Sequence, residues 1–174
     1  MAESLQEAIQ LARKMEMDGI EFYGKAAEEA GNPQAQKFFE SLQNDERRHL
    51  RIVEDIGKGM GVDTTNMPKP ADTIRTVFSE AEQTIAADQQ ATAEEKEAVE
   101  IALGMEEDSY NLYEEAAQKA EDEDQKALFE RLAEEENQHY VMLENTQEYL
   151  ADNQKWYLWK ESGLLTGDMS SLGQ

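Results

Sequence analysis

At 174 residues the chain fits one domain, long enough for a substantial core. The absence of cysteine excludes disulfides, thiolate metal sites and a rubredoxin-type iron centre. A net charge of −23 argues against nucleic acid or an anionic membrane as partner and reads as a solvated, acidic helical surface. No apolar run approaches the ~20 residues of a membrane helix, and the first residues form neither a basic nor an apolar targeting segment. A soluble, cytoplasmic protein is expected.

Ser4-x-x-Glu7 is a capping box, so helix 1 is predicted to start near Leu5. Its inward stripe is Leu5, Ile9, Ala12, Glu16, Gly19, Tyr23 and Ala26, the four-three spacing of a bundle helix. Glu16 falls in the middle of that stripe, where a lone carboxylate is out of place. The helix is predicted to end near Ala30-Gly31, with glycine in a C-cap position. Asn32 and Pro33 open helix 2, whose stripe runs Ala35, Phe39, Leu42, Glu46, His49, Val53, Ile56. The short connection makes helices 1 and 2 antiparallel neighbours.

From Gly57 to Pro70, glycines and prolines break any regular element. A short helix is predicted after Asp72 or Thr73, with Ile74, Val77, Phe78, Ala81 and Ile85 apolar. The whole stretch 57–91 reads as a long crossover to the far end of the bundle. Thr92-x-x-Glu95 opens helix 3, with Val99, Ala102, Glu106, Ser109, Tyr113 and Ala116 inward. Asp122 caps helix 4, whose stripe is Gln125, Phe129, Leu132, Glu136, His139, Leu143, Thr146, Leu150. Residues 151–174 read as a tail whose Trp156, Tyr157 and Trp159 pack on the bundle or on a second chain. The expected fold is all-α: one four-helix bundle over 1–150, crossover included, then the tail.

The only two histidines each follow a glutamate by three positions, as Glu46-x-x-His49 and Glu136-x-x-His139, 90 residues apart. On a helix, such a pair shares one face. Sliding the sequence by 90 also places Glu16 on Glu106, Tyr23 on Tyr113, Asn32 on Asp122, Phe39 on Phe129 and Leu42 on Leu132. A repeat that keeps caps, core aromatics and ionisable core residues in register implies a pseudo-twofold bundle. The mid-helix Glu and His residues of the two halves would then meet at its centre. Four carboxylates gathered in a core would each cost several kcal/mol in desolvation, besides their repulsion. Two divalent cations supply four positive charges against them, and carboxylate with neutral imidazole is ligand chemistry for iron, manganese or zinc.

The pattern resembles the erythrin domain of the rubrerythrin family, in the ferritin-like superfamily, over roughly residues 5–150. Carrying the resemblance are Glu16 with Tyr23 seven later, Glu46-x-x-His49, Glu106 with Tyr113 seven later, and Glu136-x-x-His139. It implies a ferritin-like diiron bundle with two iron ions, Fe2+ or Fe3+, open to an oxo bridge; manganese and zinc suit the same donors. Glu16 and His49 would bind one iron, Glu106 and His139 the other, with Glu46 and Glu136 bridging. Tyr23 and Tyr113 would lie just behind these ligands. Asp45 and Glu135 resemble the acids that hold the far nitrogens of histidine ligands, and the pairing expected is Asp45 with His139 and Glu135 with His49.

The resemblance also implies the activity: reduction of hydrogen peroxide, or of oxygen, in oxidative-stress defence. With no rubredoxin domain, a separate rubredoxin-like electron donor is needed. A homodimer is expected, with the crossover as a plausible hinge for helix exchange. One departure stands out. The family usually carries a further glutamate three residues after the helix 3 ligand, where this chain has Ser109 and, in the repeat, Gly19. That puts the ligand movement of the family's redox cycle in question. The competing readings are a ferroxidase, a dimanganese catalase, and a non-enzymatic metal-binding or sensing module that docks through its acidic face or its tail.

Overall fold

The computed structural model describes residues 4–59 and 90–153, the side chains of 149, 152 and 153 excepted. The predicted short crossover helix and the aromatic tail lie outside the described residues. Those described form four helices: α1 (Leu5–Glu29), α2 (Pro33–Gly57), α3 (Ala93–Lys119) and α4 (Glu123–Asn153). None is long and apolar enough to cross a membrane.

The four helix starts follow from the capping residues. Ser4 and Thr92 each form a complete capping box, with Glu7 and Glu95. Asn32 accepts from the backbone of Gln34 and Ala35 ahead of Pro33, and Asp122 from that of Gln125. The ends differ from expectation. α1 is closed by Ala30 in an extended conformation, so Gly31 is not a left-handed cap. Its small size serves a close approach instead, because a Cβ there would sit 3.0 Å from Thr92 Cγ2. Gly57 is still helical. The left-handed residue is Gly59, at φ 69°. α4 continues past Leu150 to Asn153.

α1 packs along α2, α3 along α4, and α1 also packs against α3. Cross-helix bonds give the directions. Arg13 reaches Glu54 while Gln43 reaches the carbonyl of Ile20, so α1 and α2 run antiparallel. Tyr23 meets Glu106 while Tyr113 meets Glu16, so α1 and α3 do too. The same holds for α2 and α4, where His49 meets Glu135 and His139 meets Asp45.

The apolar core is split in two. One cluster joins Ile9, Ile52, Ile56, Leu112, Phe129 and Leu132. The other joins Phe38, Phe39, Leu42, Val99, Leu143 and Leu150. Tyr113 stacks on Phe129 in the first, and Tyr23 on Phe39 in the second, at centroid distances of 6.2 and 6.4 Å. Midway along the helices, between the clusters, lies a layer of buried charge: Glu16, Asp45, Glu46, His49, Glu106, Glu135, Glu136 and His139.

Candidate metal centre

The layer is built by helix register. Glu16 on α1 and Glu106 on α3 stand where the four-three stripe turns inward, and Glu46-x-x-His49 and Glu136-x-x-His139 do the same on α2 and α4. All six residues are at most 4 % exposed. They form two groups able to hold a metal ion: Glu16, Glu46, His49 and Glu136, then Glu46, Glu106, Glu136 and His139. In each, one ligand atom per residue lies within 4.8 Å of every other. Glu46 and Glu136 belong to both groups, which places them between the two positions.

Both imidazoles turn Nδ1 toward the carboxylates. His49 Nδ1 is 3.1 Å from Glu136 Oε1, and His139 Nδ1 is 3.1 Å from Glu136 Oε2. Both turn Nε2 away. His49 Nε2 lies 3.1 Å from Glu135 Oε2, and His139 Nε2 lies 3.3 Å from Asp45 Oδ2. The pairing expected from the sequence is the one observed. A carboxylate facing Nε2 keeps the proton there and leaves the Nδ1 lone pair to the centre. The rings themselves stack, 5.6 Å apart.

Tyr23 donates to Glu106 Oε1 and Tyr113 to Glu16 Oε1, each crossing from one half of the repeat to the other. Burial, then the neighbouring carboxylates, pushes both phenols well above their ordinary pKa, so they remain donors.

Without metal, three of the four inner carboxylates bind protons more tightly than a free carboxylate does, and the fourth less tightly. Burial raises Glu16 to about 7 against the opposing pull of His49, and raises Glu106 to about 7 against that of His139. Burial, then repulsion from Glu136 and Glu16, lifts Glu46 well above the usual range. Glu136 moves down although burial opposes it, because His49 and His139 both lie against it. Burial opposes the charge on His49, but Glu136 and Glu135 raise it to about 10. Glu106 and Asp45 likewise raise His139.

Two residues that the sequence reading did not single out complete the layer. Arg48 donates to Asp45 and to Glu135, and Arg131 donates to Glu135 and to Glu134. Burial alone would raise Asp45 and Glu135, but His139 and Arg48 hold the first down, and His49 and Arg48 the second. These two acids and two arginines therefore cancel in charge. As positive charge facing the four inner carboxylates, only the two imidazoles then remain among the described residues, which can offset at most two of the four charges and none once they are neutral ligands. Glu16 Oε2 and Glu46 Oε1 are buried with no hydrogen-bond partner, beside His49 Nδ1 and Glu136 Oε1, which face each other at 3.1 Å. Buried polar atoms left orphaned are costly, and these point into one space. Their donor set, carboxylate oxygen and imidazole nitrogen, fits a pair of divalent cations in both charge and softness.

Gly19 belongs to the same wall. A Cβ there would sit 3.1 Å from Glu46 Oε2, so its lack of a side chain gives Glu46 its place. Ser109, its repeat mate, is half-buried.

A family model described as Rubrerythrin matches residues 1–57 and 64–147. No curated protein and no solved structure matches the chain. With a match over most of its length and a paired carboxylate-histidine cluster at its centre, the chain belongs to the rubrerythrin family.

Proposed function

We propose that the chain holds two iron ions and reduces hydrogen peroxide, or oxygen, with electrons from a separate donor protein. The observation that carries this is the pair of overlapping ligand groups sharing Glu46 and Glu136, with orphaned atoms facing inward, in a chain of this family. Glu16 and His49 would hold one ion and Glu106 and His139 the other, with Glu46 and Glu136 available to both. When bound, a ferrous pair supplies the two electrons that convert hydrogen peroxide and two protons to two waters.

The chain's own residues do the rest. His49 and His139 present Nδ1 because Glu135 and Asp45 face their Nε2 atoms. Tyr113 and Tyr23 fix one oxygen each of Glu16 and Glu106, leaving the other free to face an ion. The apolar clusters on either side keep bulk water out. Ser109 leaves the centre with these six ligands and no further glutamate from α3.

The test is elemental analysis of natively purified chain, followed by anaerobic Fe(II) titration and stopped-flow reoxidation. Saturation at two irons per chain and faster reoxidation by peroxide than by oxygen are expected. Two manganese ions would move the chemistry to catalase. Iron uptake running far past two per chain would make iron itself the substrate. Failure to bind any metal would end the reading.

A further inference from the structure

Arg48 precedes the ligand-bearing His49, yet turns away from the inner carboxylates. Its Nη1 donates to Glu135 Oε2 at 2.6 Å and its Nη2 to Asp45 Oδ1 at 2.5 Å. Those are the two carboxylates that face the Nε2 atoms of His49 and His139. The guanidinium is well enclosed, with the Arg48 side chain 13 % exposed and its partners 5 % and 0 %.

The repeat is broken here. The mate of Arg48 is Gln138, so one guanidinium serves both halves of the centre. Arg131 adds a second hold on Glu135 alone, at 2.8 Å. Its mate is Ser41, whose buried hydroxyl has no hydrogen-bond partner.

We propose that Arg48 is a positioning residue for the metal centre: by bridging Asp45 and Glu135 it orients both imidazoles from one point, and Arg131 makes that hold firmer on His49 than on His139. The inference deepens the diiron reading and rests on it for the role of Nδ1. The physics lies in the fork. A planar guanidinium fixes each carboxylate in direction as well as in charge, which a point charge does not. The oriented carboxylate then fixes the imidazole that faces it. Without Arg48, Glu135 keeps Arg131, whereas the hydrogen bonds described for Asp45 come down to His139 alone. His139 is therefore the more exposed to the loss.

The test uses the full chain with Arg48→Gln and Arg131→Gln. The imidazole Nε2–H protons are read by 15N-edited NMR, metal-free and with Zn(II), and Zn(II) affinity by competition titration. For Arg48→Gln, faster exchange of both Nε2–H protons is expected, with affinity at both positions falling about 10–100-fold. For Arg131→Gln, only the His49 proton is expected to respond. An Arg48→Gln chain with both protons and both affinities unchanged overturns the proposal, as does one that disturbs a single histidine. If Arg48→Gln does not fold, Arg48→Lys decides. A lysine is expected to keep one carboxylate and release the other, and no change at either histidine refutes the bridging role. Because the protons are also read without metal, a wild type that binds no Zn(II) ends the metal reading while Arg48 is still tested. Conversely, a wild type that takes up two Zn(II) but, loaded with iron, turns over no peroxide ends the peroxide reading alone.

Discussion

Replacing Glu16 by glutamine is expected to stabilise the metal-free chain and ruin it as a metal protein. Glutamine keeps the shape and still accepts from Tyr113, whose hydroxyl meets Glu16 Oε1. It removes a carboxylate whose pKa burial has raised from 4.5 to about 7. A raised acid binds more protons folded than unfolded between those two values, so stability falls as pH rises through the window. The penalty is complete above the folded pKa. At about 1.4 kcal/mol per pH unit it reaches about 3 kcal/mol at pH 8, and stays under about 1 kcal/mol at pH 5. For a chain of this size, 3 kcal/mol corresponds to a Tm rise of about 6–12 °C. The assay is urea and thermal unfolding of both chains in chelator at pH 5 and pH 8. A variant no more stable than wild type at pH 8, or a gain equal at both pH values, would refute the reasoning. Adding metal should reverse the order, since only wild type then gains binding energy linked to its folded state.

Three further outcomes follow from the geometry. Tyr23→Phe and Tyr113→Phe each remove one donor to a buried carboxylate and should cost about 1.5–3 kcal/mol apiece in urea unfolding; a silent member of the pair would contradict the reciprocal contacts. Glu95→Ala strips acceptors from Gly31 N, Asn32 Nδ2 and Thr92 N at once and should cost about 2–4 kcal/mol, with a loss below 1 kcal/mol counting against it. Gly19→Ala puts a Cβ 3.1 Å from Glu46 Oε2, so metal affinity by titration should fall about 10-fold. Metal-free stability should stay within about 1 kcal/mol, because the alanine's helix propensity offsets the crowding; unchanged affinity would show that Glu46 has room to move.

What the sequence made legible was periodic or local. Caps at Ser4, Asn32, Thr92 and Asp122 act within one helix turn, so their residue types suffice to find them. The stripe of α2 lies buried throughout and that of α4 from Phe129 to Leu150, with Gln125 in the first turn only half-buried, and the shift of 90 predicted which mid-helix residues converge. Toward the end of α1 the buried position is Ala27 rather than Ala26, because the straight helix drifts from the four-three pattern. Arg48 and Arg131 were not legible, since an arginine on an acidic helix reads as surface and neither follows the repeat. That mismatch, Arg48 over Gln138 and Arg131 over Ser41, was the available signal. Nor was the second task of Glu95, which besides closing its own capping box binds the α1–α2 turn. Its partners are more than 60 residues away, and only the tertiary fold brings them within reach.

The reciprocity of the contacts bears on descent. Tyr23 with Glu106 answers Tyr113 with Glu16, and His49 with Glu135 answers His139 with Asp45. Each bond joins residue i of one hairpin to residue j of the other, and its mate exchanges the roles. That is the signature of an isologous interface, here written into a single polypeptide. Each ligand group draws on both hairpins, three residues from one and one from the other. A lone helical hairpin therefore carries half a centre, and two identical hairpins would complete it by pairing. The chain reads as a symmetric dimer made permanent by duplication and fusion. Once fused, the halves were free to diverge, and Arg48 and Arg131 mark where they have.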